Sequence, residues 1–415
     1  MLPNHPTIYI GDDTLAELIG YCQTRDLRSF VLVADRNTHA VLGGRVEQAL
    51  ANQGWDVLTA LLQGEEVVAD ARSVMQVMYA LDRAPRTFLA VGSGTITDIA
   101  RFVSHRAGRE FISLPTAPSV DGYTSIGAPM VLDGAKITVY CHAPLGVFAD
   151  LPTLCAAPRV MIAAGFGDML AKLTSVADWE LGALVWDEPF DPEIARRSRD
   201  AAWACAHSID AIAAAEPAGV RALIEGLIES GLCILDFGET RPASGAEHHM
   251  SHLWEMKLLR EGRPAVLHGA KVGIGVVLSL QRFDAVRRMS RGEAETRLAR
   301  SRLPDREAEI RGIGRAFVGM ADQLAEVQKP FLDMTEAEHI ALKDRVLAHW
   351  DDIERISAGL PSAAEMTGWL RKVGGPVAGR EVGLSDEEIA LGVRWGHYYR
   401  NRFTVAKLSQ MLGMP

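Results

Sequence analysis

The sequence predicts a parallel-sheet α/β domain followed by an all-helical domain. Three observations carry this. Over the first 150 or so of the 415 residues, short β-branched runs alternate with amphipathic helical patterns, as in strands joined by crossover helices. The strand runs are apolar throughout, as in sheets covered on both faces. From about residue 156 onward, helical periodicity stands alone. The change falls near residues 150–157, where Pro152 and Pro158 punctuate the chain. Domains of 1–155 and 156–415 are therefore expected.

Taken in order, Phe30-Val31-Leu32-Val33-Ala34-Asp35 reads as a buried strand, residues 41–53 as a helix and Val57-Leu58-Thr59-Ala60-Leu61-Leu62 as the next strand. Residues 68–82 are helical, and Thr87-Phe88-Leu89-Ala90-Val91 is a strand ending in Gly92-Ser93-Gly94-Thr95. Glu110-Phe111-Ile112-Ser113-Leu114-Pro115 follows as another. The helical part comprises 160–186, 192–214, 219–236, 246–260, 268–284 and several charged helices after 290. The segment 286–325, with Arg and Glu at helical spacing, reads as a solvated face.

A hydrophobic share of 48% and a charged share of 23% place the chain among globular rather than disordered proteins. A formal charge of −10 argues against a nucleic-acid binder held by phosphate contacts. The five cysteines are odd in number and form no CxxC pair, which fits a reducing compartment without a disulfide framework. The N-terminus lacks a basic region followed by an apolar one, so no signal peptide is expected. The longest apolar run, Val272 to Leu280, is too short to span a bilayer. A cytoplasmic protein without a membrane span is expected.

Asp168, His248 and His268 stand out. Asp168 closes Gly165-Phe166-Gly167-Asp168 near a helix start, His248 lies in Glu247-His248-His249-Met250-Ser251-His252, and His268 in Leu267-His268-Gly269-Ala270-Lys271. One carboxylate and two imidazoles suit a divalent metal that keeps a coordination position open. His252 is four residues beyond His248 and shares its helix face, while His249 points about 100° away. Lone helical histidines are usually structural, but here two stand in one set with an acid, and glycines flank Asp168 and His268.

In the first domain, Gly92-Ser93-Gly94-Thr95-Ile96-Thr97-Asp98 leads from a strand into a helix, where backbone N–H groups suit a phosphate. Such a turn also has a plain structural use in α/β domains, and it is not the GxGxxG fingerprint. Asp35, at a strand end, fits a carboxylate for ribose hydroxyls; it equally fits a cap for the turn Arg36-Asn37-Thr38. Arg36 beside it would tolerate a 2′-phosphate. The loop Thr116-Ala117-Pro118-Ser119-Val120-Asp121-Gly122-Tyr123-Thr124-Ser125 is dense in hydroxyls and follows a strand of the parallel sheet, where ligands bind.

Five motifs in one order carry a resemblance: Gly92-Ser93-Gly94-Thr95, Pro115-Thr116-Ala117-Pro118-Ser119 with Asp121-Gly122, Ala164-Gly165-Phe166-Gly167-Asp168, Ser244-Gly245-Ala246-Glu247-His248 and Leu267-His268-Gly269. Over roughly residues 5–285 the chain resembles the sn-glycerol-1-phosphate dehydrogenases, the bacterial AraM type in particular, of the iron-containing alcohol dehydrogenase and dehydroquinate synthase superfamily. Tyr398-Tyr399-Arg400-Asn401-Arg402-Phe403-Thr404 is similar to that family's ending.

The resemblance implies a Rossmann-like nucleotide domain followed by a helical metal-binding domain. It puts one divalent metal, zinc or nickel, on Asp168, His248 and His268. Contacts to NAD(H) or NADP(H) fall on Asp35, on Gly94, Thr95, Ile96, Thr97 and Asp98, on Thr116, Ala117, Pro118 and Ser119, and on Ser125. Substrate contacts fall on Asp121, Asp168 and His252, the last also a proton relay. Related polyol dehydrogenases have Glu two residues after the last histidine, where this chain has Ala270, which removes one source of support for His268.

The implied reaction is reversible reduction of dihydroxyacetone phosphate to sn-glycerol 1-phosphate, with the metal polarising the C2 oxygen. Lys136 is one partner for the phosphate, against a solvated hairpin lysine. A homodimer or higher homo-oligomer is expected. The alternatives are a glycerol-type polyol dehydrogenase and a lyase like dehydroquinate synthase.

Overall fold

The computed structural model describes residues 5–132 and 135–414. Two compact units divide the chain. The first is Met1–Met169 with His207–Glu239, and the second is Leu170–Ala206 with Thr240–Pro415.

The first unit is built on a six-stranded sheet: β1 (Thr7–Gly11), β2 (Ser29–Asp35), β3 (Asp56–Leu62), β4 (Thr87–Gly92), β5 (Phe111–Pro115) and, after a hairpin of β6 (Gly127–Leu132) and β7 (Ala135–Tyr140), β8 (Gly146–Asp150). The order is β1-β8-β5-β4-β2-β3, and every pair in it is parallel.

Side chains alternate across each strand, so one apolar run feeds two cores. Val31, Val33, Phe88 and Ala90 pack on one face with Ile96, Ile99 and Val103 of the helix Gly94–Arg106 and Val77 of Ala71–Ala80. Phe30, Leu32, Ala34, Leu89 and Val91 pack on the other with Leu18, Cys22, Val46 and Leu50. Each fully buried Phe, Leu or Val of this kind contributes about 1.5–3 kcal/mol. The carboxyl ends of the neighbouring strands β2, β4 and β5 bring Asp35, Gly92 and Pro115 to one rim, with Gly92 opposite Pro115.

Helix Arg159–Trp186 runs unbroken from the first unit into the second. By length and hydropathy it alone among the described residues would cross a membrane, yet 89% of its apolar window is buried inside the protein. Asp168, Lys172 and Asp178 interrupt it, so in the sequence Val272–Leu280 is the longer apolar run.

The second unit is all helical. Ala246–Arg260 and His268–Arg287 lie side by side in it. One core gathers Met250, Leu253, Trp254, Ile274, Ile313 and Tyr398, and Trp254 Nε1 donates to the Glu388 carbonyl at 2.8 Å. The other gathers Val185, Val286, Trp350, Phe403 and Leu408. Within the charged segment, Arg291–Arg300 buries little beyond Ala294 and Leu298, as a solvated helix should. Glu309 is the exception: it is buried, accepting from Tyr398 Oη and Arg394, each at 2.7 Å.

Candidate metal and nucleotide sites

His248 sits in the first turn of helix Ala246–Arg260, and His268 opens helix His268–Arg287. The helices meet at Gly275, where a Cβ would lie 2.6 Å from the Glu247 carbonyl oxygen. Only glycine permits that approach. The His248 and His268 rings are 5.3 Å apart, centroid to centroid. His252 completes a triangle, 6.4 Å from His248 and 5.8 Å from His268. His249 faces the interior, fully buried, with neither ring nitrogen hydrogen-bonded among the described residues. Burial, with Arg402 and Arg400 adding to it, holds its pKa well below the ordinary histidine value.

Asp168 lies on helix Arg159–Trp186, two residues before the stretch that packs in the second unit. On that stretch Thr174 Oγ1 donates to Glu247 at 2.9 Å and Lys172 Nζ to the Ala243 carbonyl at 3.3 Å. Within the second unit, His248 and His268 thus bring two imidazoles together from neighbouring helices. Borderline imidazole donors at that spacing suit one divalent cation and leave it room for further ligands, a hard carboxylate among them.

Glu247 was not singled out by the sequence reading, although it adjoins His248. It is fully buried; Oε1 accepts from His248 Nδ1 at 2.9 Å and from Gly245 N at 2.6 Å. Burial works to raise its pKa, but the His248 hydrogen bond and charge outweigh that and lower it. Nearby Asp178 moves the other way, pushed well up by burial and by the Glu247 charge. Glu247 is therefore the anionic member, and it orients the His248 ring.

In the first unit, Asp35 is a cap: Oδ1 accepts from Thr38 N at 2.8 Å and Asp35 N donates to Thr38 Oγ1 at 3.0 Å. Helix Gly94–Arg106 starts without a side-chain cap from Ser93. A Cβ on Gly94 would come 2.7 Å from Val120, so packing alone already requires that glycine. Thr95 is half-buried, Ile96 and Thr97 are buried, and Asp98 ion-pairs with Arg101 at 3.3 Å.

The loop after β5 is held from several sides. Thr116 N donates to the Gly92 carbonyl at 3.2 Å, and Tyr123 Oη to the Ala117 carbonyl at 2.5 Å. Pro118 lies against the long helix, where a Cβ on Gly165 would sit 1.8 Å from the Pro118 oxygen. Ser119 and Ser125 are buried, the latter with Oγ 3.5 Å from the Gly122 carbonyl. Asp121 N donates to Asp168 Oδ2 at 3.1 Å, and Asp121 Oδ2 accepts from Ser230 Oγ at 2.9 Å. Thr124 Oγ1 reaches the Ile228 carbonyl at 2.8 Å.

Arg101 is fully buried and donates to the carbonyls of Gly122, of Tyr123 at 3.2 Å and of Gly127 at 2.7 Å. Arg101 and Ser230 carry no local signal in the sequence, because their partners are distant in the chain. Lys136 stands on the hairpin strand β7 opposite Val131, and Gly134 beside it lies outside the described residues.

Residues 9–158 match the family model described as iron-containing alcohol dehydrogenase. The chain is 35% identical, over 96% of its length and 90% of the relative's, to glycerol-1-phosphate dehydrogenase [NAD(P)+] of Geobacillus thermodenitrificans. It is 46% identical to the protein of that name from Halalkalibacterium halodurans, over 65% of this chain and 69% of that one. Among solved structures, the iron-containing alcohol dehydrogenase of Thermotoga maritima shares the fold, with a TM-score of 0.59 at 13% identity, covering 100% of this chain and 99% of that one. The chain belongs to the glycerol-1-phosphate dehydrogenase family of the iron-containing alcohol dehydrogenases, and it is an oxidoreductase.

Proposed function

We propose that this enzyme reversibly reduces dihydroxyacetone phosphate to sn-glycerol 1-phosphate with NADH or NADPH, and that Asp168, His248 and His268 hold one zinc or nickel ion. The observation that carries the reading is 35% identity across 96% of the chain to an enzyme of that name. When bound, the metal supplies Lewis acidity toward the carbonyl and the nicotinamide supplies the hydride.

The chain's own residues do the rest. Glu247 keeps the proton of His248 on Nδ1, so Nε2 presents its lone pair as a ligand. His252, one turn further along the same face, hydrogen-bonds the substrate and passes a proton to or from its hydroxyl. Asp121, steadied by Ser230, holds a substrate hydroxyl and so fixes which carbonyl face meets the hydride.

Gly94 to Asp98 offer the N–H groups of an uncapped helix start to the dinucleotide phosphates. Asp35 uses one carboxylate oxygen as a cap and turns the other to the ribose. Thr116 to Ser119 and Ser125 flank the nicotinamide. The test is His268→Ala: metal and turnover should both be lost, with the circular dichroism spectrum retained. Normal turnover by the metal-free variant would overturn the assignment.

A further inference from the structure

A phosphorylated substrate needs a cation, and the basic groups close to the three histidines are mostly occupied. Lys172 Nζ donates to the Ala243 carbonyl at 3.3 Å, and Lys271 Nζ to that of Val266. Arg241 pairs with Glu188. Arg402 is buried and donates to the Ser244 carbonyl and to Thr240 Oγ1 at 2.8 Å, clamping the loop that leads into the His248 helix.

Arg400, two residues earlier, has different company. It is half-buried, and no carboxylate ion-pairs with it among the described residues. Its guanidinium carbon lies 5.1 Å from the centroid of the Tyr399 ring. That ring lies 4.9 Å from the His252 ring, which is 5.8 Å from His268. Guanidinium, phenol and two imidazoles are thus successive neighbours, from Arg400 through Tyr399 and His252 to His268. A guanidinium seated over the Tyr399 ring is held without using its N–H groups, and those groups match a phosphate in a bidentate fork. A three-carbon ester whose C2 oxygen lay at the histidines would need a cation for its phosphate beyond His252, and Arg400, over the ring that neighbours His252, is the basic group there without a carboxylate among the described residues.

We propose that Arg400, seated on Tyr399, is the phosphate anchor that makes the site selective for a phosphorylated ketone over a free polyol. This rests on the function proposed above, and the experiment separates the two. Metal-loaded wild type, Arg400→Met and Arg400→Lys are assayed for KM and kcat with dihydroxyacetone phosphate. Inorganic phosphate binding is titrated calorimetrically on the same three proteins.

Arg400→Met should raise KM and weaken phosphate binding by about 10- to 100-fold, while metal content and melting temperature are kept. Arg400→Lys should recover part of the loss, since the charge returns without the fork. Unchanged KM and unchanged phosphate binding in Arg400→Met overturn the proposal. If the wild type turns over no dihydroxyacetone phosphate, the proposed function fails, and phosphate binding alone then judges Arg400. Binding that Arg400→Met loses upholds the anchor, and equal binding, including none in either protein, overturns it.

Discussion

His248 donates Nδ1–H to the buried Glu247 carboxylate at 2.9 Å, so two neighbours in sequence are locked together. The same carboxylate accepts from Gly245 N at the start of the helix and from Thr174 on the helix that carries Asp168. One buried anion thereby fixes the tautomer of His248 and packs against the helix that carries Asp168.

Replacing Glu247 by Gln keeps the shape and removes the charge. Metal affinity should fall about 10- to 100-fold with the fold retained. Competition against a chromophoric chelator measures this, and wild-type affinity in Glu247→Gln would remove Glu247 from the account.

Gly165→Ala would place a Cβ 1.8 Å from the Pro118 oxygen. Either the helix or the loop must move, at a cost of about 3 kcal/mol. The melting temperature should drop, and KM for the nicotinamide cofactor should rise at least several-fold. A variant with wild-type KM and stability would show that the loop is not held in this way.

Ser230→Ala removes the hydroxyl that donates to Asp121 at 2.9 Å. A hydrogen bond to a charged group is worth about 1.5–3 kcal/mol, so a fall of about tenfold or more in kcat/KM is expected, with metal content unchanged. Loss of metal instead would mean that Ser230 acts on Asp168 and not on the substrate.

Lys407 is fully buried, with Nζ 2.9 Å from Gln328 Oε1 and 4.5 Å from the Phe331 ring. Burial lowers its pKa from 10.5 to about 7. Between pH 7 and about 10.5 the unfolded chain holds a proton that the native state has released, so stability should rise with pH, by up to about 1.4 kcal/mol per unit. Below pH 7 both states are protonated and the full destabilisation is present. Lys407→Met should flatten this rise relative to wild type. Urea midpoints at pH 7, 8, 9 and 10 report it, and parallel profiles for the two proteins would contradict a neutral buried lysine.

The sequence made the long, strongly periodic elements legible. The helices expected at 160–186, 246–260 and 268–284 are found at Arg159–Trp186, Ala246–Arg260 and His268–Arg287. The strands read at 30–35, 57–62, 87–91 and 110–115 are β2, β3, β4 and β5. Strands β1 and β8 and the helix Thr14–Thr24 went unread. β1 and β8 are five residues each, too short to establish a period, and their parallel pairing with each other joins positions nearly 140 residues apart.

At the proposed sites, the difference is between residues assigned to the chemistry and residues that support them. Asp168, His248, His252 and His268 announce themselves by type and spacing. Arg101, Ser230 and Gly275 act through partners that only the fold supplies. Asp35 left two uses open, and its capping use is the one formed within the chain itself.

The most direct test is dihydroxyacetone phosphate reduction by protein stripped of metal and then reloaded separately with zinc and with nickel. Product chirality is read with an enzyme specific for sn-glycerol 3-phosphate. The account predicts no turnover without metal, turnover restored by one or both ions, and a product that enzyme ignores. Undiminished turnover by the stripped protein, or a product that is sn-glycerol 3-phosphate, would contradict it.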